Sequence, residues 1–362
     1  MCGFPVFDQD SNAGTGYRQV TVGHGSDRDD RLVLFGTAGG SNPKATRAGY
    51  ANAIVVGDAA YLVDCGEGVH RQLWRAGLTA NPNYDARRPV VGAIFLTHLH
   101  ADHIMDLANI FLGSWPPRPI DVYGPASAHT RRDGTPADLV HPVVFPDEPA
   151  PGLAATMDHL LRAFAYNINV RIADEGRSNV TESIRVHELG DIGPEPVVVY
   201  PEDERGVRVT AALVEHTPVF PAFGFRFDTP SGSVAFSGDT GPCDAVVRLA
   251  QGADILVHEV IDVDRLTARL TRPPNYEAIR DHLSRSHSAP EDVGTIATRA
   301  GVGTLVLSHL VPGDDEISAA DWEARVRPTF AGRIVCGTDL DVFPVASPFH
   351  ASSTTSDVVK QA

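Results

Sequence analysis

Short apolar runs separated by Gly, Asp and Pro set the rhythm of this chain. "RLVLFGTAG" begins at Arg31. "NAIVVGDAAYLVDCG" follows, two β-branched runs about a Gly-Asp pair, which is a hairpin signal. In "EGVHRQLWRAGL" the apolar Val69, Leu73, Trp74 and Leu78 recur at helical spacing, with Gly77 near the end. "VVGAIFLTH" is a continuous apolar run, as a strand buried on both faces requires. "ADHIMDLANIFLG" predicts a helix and "IDVYGP" a strand.

The second half repeats the idiom. "EPVVVYPED", "VRVTAALVEH", "FGFRFDTPSGSVAFSGDT" and "ADILVHEV" predict strands, with a hairpin turn at "FDTPSGSV". "APEDVGTIATRAGV" predicts a helix with Pro290 near its start and Gly301 at its end. "GTLVLSHL" and "GRIVCGTD" predict late strands. Two similar halves of strands with interspersed helices imply two packed sheets with helices outside. Between the halves, "LAATMDHLLRAFAYNINVRIADEG" puts Leu153, Met157, Leu160, Leu161 and Phe164 on one helical face. That segment is either a helix packed on the core or a cap over a pocket. Domain bounds follow: an N-terminal extension over 1–30, a domain over 31–345 with a helical insert at about 150–190, and a Ser/Thr-rich tail over 346–362.

Composition narrows the class. Of 362 residues 43% are hydrophobic, so a sizeable core can be buried. The net charge is −16, only two basic residues are lysines (Lys44 and Lys360), and no basic run occurs, which argues against nucleic-acid or membrane partners. The four cysteines (Cys2, Cys65, Cys243, Cys336) form no paired motif and fit a reducing compartment. No signal-peptide pattern is present, and no apolar run approaches the roughly 20 residues a bilayer span needs. The expectation is a cytoplasmic protein.

"FLTHLHADH" carries the chemistry. His98, His100, Asp102 and His103 place four potential metal donors in six residues behind a buried strand. One short turn cannot aim four groups at one tetrahedral ion, so two neighbouring ions are the better geometric expectation. His216, Asp239 and His309 each close an apolar run as His98 does, and strand ends can converge at one sheet edge.

With "LFGTAGG", "YLVDCGEGVHRQL", "FLTHLHADH", "HTPVFPAFGFRFDT", "FSGDT", "LVHEV", "SHSAPEDVG" and "LVLSHL" in this order, the chain resembles the metallo-β-lactamase superfamily, in the branch of RNase Z and the zinc-dependent arylsulfatases. The resemblance implies an α/β fold, an αββα sandwich of two mixed sheets, with two Zn²⁺ per chain at one edge. Manganese or iron would accept the same ligands. It implies His98, His100 and His216 on one zinc, Asp102, His103 and His309 on the other, and Asp239 bridging. Asp64 would orient a ligand histidine. Glu259 in "VHEV" and His287 in "SHSA" match a glutamate and histidine that act together near the scissile group, so Asp102, Glu259 and His287 are the expected catalytic residues. Members of this branch are commonly dimers, and a homodimer is expected.

Two substrates are compatible with that machinery. The favoured expectation is a hydrolase of small esters (aryl sulfate, lactone or carboxylic ester, phosphodiester), with a partly apolar pocket from Phe111, Trp115, Phe164, Tyr166, Phe220, Phe223 and Phe225. The alternative is an RNase Z-type transfer-RNA 3′ endonuclease. Against it stand the acidic charge, the lack of a basic Gly/Pro-rich arm, and "HEV" and "HSA" where RNase Z usually has a small residue and threonine. The complete ligand set argues against a binding module without activity.

Overall fold

The computed structural model describes residues 30–86, 88–127, 144–145 and 147–346. Residues 1–29 of the expected extension and 347–362 of the expected tail lie outside them. The strands are β1 (Arg31–Gly36), β2 (Ala51–Val56), β3 (Ala59–Val63), β4 (Val90–Phe95), β5 (Ile120–Pro125), β6 (Ile184–Leu189), β7 (Val197–Tyr200), β8 (Arg208–Leu213), β9 (Phe223–Asp228), β10 (Ser233–Phe236), β11 (Ile255–Ile261), β12 (Thr304–Val311), β13 (Arg333–Cys336) and β14 (Val342–Pro344). They form two seven-stranded sheets, ordered β14-β1-β2-β3-β4-β5-β6 and β13-β12-β11-β10-β9-β8-β7.

Both sheets are mixed. β1, β2 and β3 pair antiparallel, and β3 through β6 pair parallel. In the second sheet β7 through β10 are antiparallel and β10 through β13 parallel. Parallel neighbours need crossovers, and helices supply most of them. α1 (Val69–Arg75), α2 (Ala101–Ile104), α3 (Leu107–Ser114), α4 (Leu153–Ala163) and α5 (Ala165–Glu175) belong to the first half. α6 (Asp244–Leu249), α7 (Val263–Thr267), α8 (Tyr276–Ser286), α9 (Pro290–Ala300) and α10 (Ala319–Val326) belong to the second.

Three cores result. One lies between the sheets and takes alternate residues of each strand, including Leu32, Leu34, Phe95, Phe223, Phe225, Phe227 and Val306. The second lies under α1, α3 and α4, and the third under α6, α9 and α10. The αββα sandwich expected from the sequence is the fold that forms. β6, α6, α7, α8, α10 and β14 were not anticipated. β6 is an edge strand with alternating partial burial, too polar to stand out as an apolar run.

The segment between the halves is two helices, broken at Phe164. Leu153, Met157 and Ile168 sit in the core outside the first sheet, and Leu160 and Leu161 pack against it. This is the core-packing alternative; α4 contacts β5, β6 and α3. The expected aromatic pocket does not form. Phe223 and Phe225 share one face of β9 with Phe227 and point between the sheets. Phe111 and Trp115 fill the core under α3, with the Trp115 indole donating to the Ser178 carbonyl at 3.1 Å. Phe164 and Tyr166 face solvent, Tyr166 at 85% exposure, and Phe220 is half-buried in the turn after His216.

Phe225 packs edge-on against Phe95 at 5.6 Å across the sandwich. Phe225→Ala is therefore expected to lower stability by about 3–5 kcal/mol in denaturant unfolding. Tyr166→Ala should leave both stability and turnover unchanged.

Candidate metal centre

The site lies where strands of both sheets end, the usual position for ligands in sheets with parallel strands. β4 runs into Thr97, His98 and His100, and α2, which follows at once, carries Asp102 and His103. From the other sheet, β8 runs into His216 and β10 into Asp239. Gly238 before Asp239 has φ +62°, and a Cβ there would stand 2.4 Å from the Phe223 carbonyl oxygen, so this approach needs glycine.

His309 arrives differently. Leu305, Leu307 and Leu310 of β12 face the outer helices and Val306 faces the inner core. Simple alternation would send residue 309 outward. A register shift against β11 sets Ser308 and His309 opposite the single residue Glu259. With His309 at φ +48°, this bulge turns its side chain into the site.

All seven expected donors converge. His98, His100, His216 and Asp239 form one group, and Asp102, His103 and His309 a second, each with donor atoms within 4.8 Å of one another. His98 Nε2 lies 3.0 Å from His100 Nδ1, and His216 Nε2 3.4 Å from the same atom. His309 Nε2 is 3.3 Å from both His103 Nε2 and Asp102 Oδ2. Asp239 Oδ2 stands between the groups: 3.2 Å from His309, 3.4 Å from His103, 3.9 Å from His98 and 4.0 Å from His216. Donors around a tetrahedral cation at ~2.1 Å stand roughly 3.4 Å apart.

The surroundings hold these groups in ligand form. Burial lowers His98 well below the usual imidazole range and, despite the facing Asp239 carboxylate, pushes His216 down to about 4, so both present lone pairs. Burial alone would raise Asp239, but His309 and His103 outweigh it and hold the carboxyl ionised. Asp239 Oδ1 is buried with no partner among the described residues, an orphaned acceptor that a cation would satisfy. The donor set therefore fits divalent cations.

The second layer is ordered. Asp64, at φ +62°, accepts from Thr97 N and Thr97 Oγ1 at 2.8 Å and lies 2.9 Å from His103 Nδ1. His216 Nδ1 donates to the Ser286 carbonyl at 2.8 Å. Asp102 accepts from Gly40 N at 2.8 Å. Glu259 is buried, accepts from Thr240 N at 2.7 Å, and places its oxygens 2.9 and 3.0 Å from His287 Nδ1. Burial works against a charged His287, but the Glu259 carboxylate overrides it, and the imidazole is pushed up to about 9. His258 turns its Nδ1 to the Glu259 carbonyl and His282 bonds Ser286, away from the donor cluster.

Sequence reasoning missed Thr97, Thr240, Ser286 and Gly40. Thr97 precedes His98 directly, which was a usable signal; the others became neighbours only by folding. It also missed a groove beside Asp102, walled by Gly40, Ser41, Lys44, Arg47, Glu67 and Met105. Because Asp64 holds His103 Nδ1, Asp64→Ala is expected to weaken metal affinity by roughly 10–100-fold in chelator competition.

Residues 60–310 match the model of the β-lactamase superfamily domain. Ribonuclease Z of Mycobacterium bovis is 35% identical over 309 residues, covering 85% of this chain and 96% of that protein. Ribonuclease Z of Mycobacterium marinum is 34% identical over 317 residues, with the same coverage. Among solved structures, the short form of human tRNase Z superposes with TM-score 0.58 at 20% identity, over 88% of this chain and 100% of that one. A metallo-β-lactamase-fold protein from Bacillus subtilis gives 0.55 at 18% identity, over 87% and 99%. At these identities the two structures speak for the fold alone.

The relatives overturn two expectations: that small esters are the substrates, and that nucleic acid is not a partner. Net charge misled because it sums the whole surface and does not report the charge at any one place on it. No helix of the described residues is long and apolar enough to cross a membrane. A metal-dependent hydrolase acting on ester bonds, this chain belongs to the metallo-β-lactamase superfamily, in its ribonuclease Z branch.

Proposed function

We propose that the chain is a ribonuclease Z-type endonuclease, cleaving a phosphodiester bond at the 3′ side of transfer-RNA precursors. The observation that carries this reading is the 35% identity to a ribonuclease Z over 96% of that protein's length. His98, His100 and His216 would hold one Zn²⁺ and Asp102, His103 and His309 the other, with Asp239 shared. Two such cations supply positive charge that lowers the pKa of water and offsets charge on a phosphoryl group.

The chain's own residues manage position and protons. Glu259 grips His287 Nδ1 with both oxygens and is itself fixed by Thr240 N. This leaves His287 Nε2 to donate a proton to the departing oxygen. Asp64 and Ser286 hold the far nitrogens of His103 and His216, so these two donor imidazoles cannot rotate as substrate enters. Lys44, on the groove wall beside Asp102, offers positive charge to an approaching phosphate backbone.

Purified protein loaded with zinc should process precursor transfer RNA at its 3′ side faster than it cleaves small aryl esters or lactones. Chelation should abolish the activity and zinc restore it. A loaded enzyme inert toward the RNA would end this reading.

His287→Ala should keep its metal content and lose about 10²–10⁴-fold in turnover, most severely where the leaving group is poor. The donor form of His287 predominates below about pH 9, so wild-type turnover should decline as pH rises through that value. Persistence of that decline in the variant would assign it to another group.

A further inference from the structure

We infer that Tyr50 and Gly39 form a slot that sets the imidazole plane of His309, making Tyr50 a positioning residue for the Asp102–His103–His309 group. This rests on the reading of those three residues as ligands of one of two metal ions.

A ligand imidazole is ordinarily oriented by a hydrogen bond to its far nitrogen. His103 has Asp64 and His216 has the Ser286 carbonyl. His309 has no such tether: its Nδ1 is buried without a partner among the described residues. Its backbone does not compensate, because it sits in a bulge at φ +48°.

Packing fills that role from two sides. The Tyr50 ring, 1% exposed, stands edge-on to His309 with centroids 5.4 Å apart at 80°. The same ring lies 5.3 Å from His103, so one rigid plate spaces two donors of the group. Gly39 approaches from another direction. A Cβ there would fall 2.5 Å from His309 Cε1 and Nδ1, far inside contact distance. Neither wall can drift. Gly39 N donates to the Leu310 carbonyl at 3.1 Å, and the Tyr50 carbonyl accepts from Gly66 N at 3.1 Å. His98 differs: its Nδ1 has Thr97 Oγ1 at 3.0 Å, and the rings of His98 and His100 contact other donor histidines.

The two walls are tested by opposite changes. Tyr50→Leu opens the slot and Gly39→Ala overfills it; Tyr50→Phe keeps the ring and serves as the rescue. Metal content and affinity are measured by chelator competition, and Co²⁺-substituted protein reports each coordination environment by visible absorption. Melting of the metal-free forms identifies variants that fold, and Tyr50→Met replaces Tyr50→Leu if the smaller side chain does not.

Wild type and Tyr50→Phe are expected to take up two ions. Tyr50→Leu and Gly39→Ala should hold one ion as tightly as wild type and the other at least about tenfold more weakly. Two ions bound at wild-type affinity in both altered proteins would overturn the slot. Equal weakening of both ions in a folded variant would overturn it as well. A wild-type chain that binds fewer than two ions would instead sink the two-metal reading beneath it.

Discussion

The structure turns on the cost of gathering several electron-donating groups at one buried point. Asp239 Oδ2 lies within 4.0 Å of a ring nitrogen of His98, His103, His216 and His309. Asp102 adds a second carboxylate beside them. Water solvates such groups well and a protein interior does not. Neutral imidazoles cannot all donate to one another, so some lone pairs face each other unless a cation lies between. The backbone follows from this demand. Asp64 and His309 adopt left-handed conformations, and Gly238 is needed where the chain passes Phe223. Such local strain persists where the surrounding structure over-determines it.

Much of the fold was legible because two sheets of buried strands leave a strong trace of short apolar runs. Most strands, the helices α1 and α9, and a helical segment over α2 and α3 could be drawn from periodicity and end signals. β6 and β14 were not visible, being edge strands with little apolar density. α7 and α8 escaped for a related reason. Buried residues are sparse on both, so neither carries a clear apolar stripe.

The donors were more legible than the surroundings. A histidine that closes an apolar run is a strand-end residue, and strand ends meet at one edge. His309 was found by that rule although its orientation depends on a bulge that no local pattern announces. The aromatics failed under the same rule. Phe223 and Phe225 follow His216 closely in sequence, but they alternate inward along β9, so proximity in sequence placed them wrongly at a mouth. Substrate class failed for a different reason, since total charge carries no information about where individual basic side chains stand.

The donors come from both sheets: His98, His100, Asp102 and His103 from the first, His216, Asp239 and His309 from the second. A divalent cation held among them would act as a clasp on the open rim of the sandwich. The folded chain offers this clasp and the unfolded chain does not, so ions bound there add to folding stability by a term that grows with the logarithm of free metal. Metal supply would then bear on the stability of the folded enzyme as well as on its turnover.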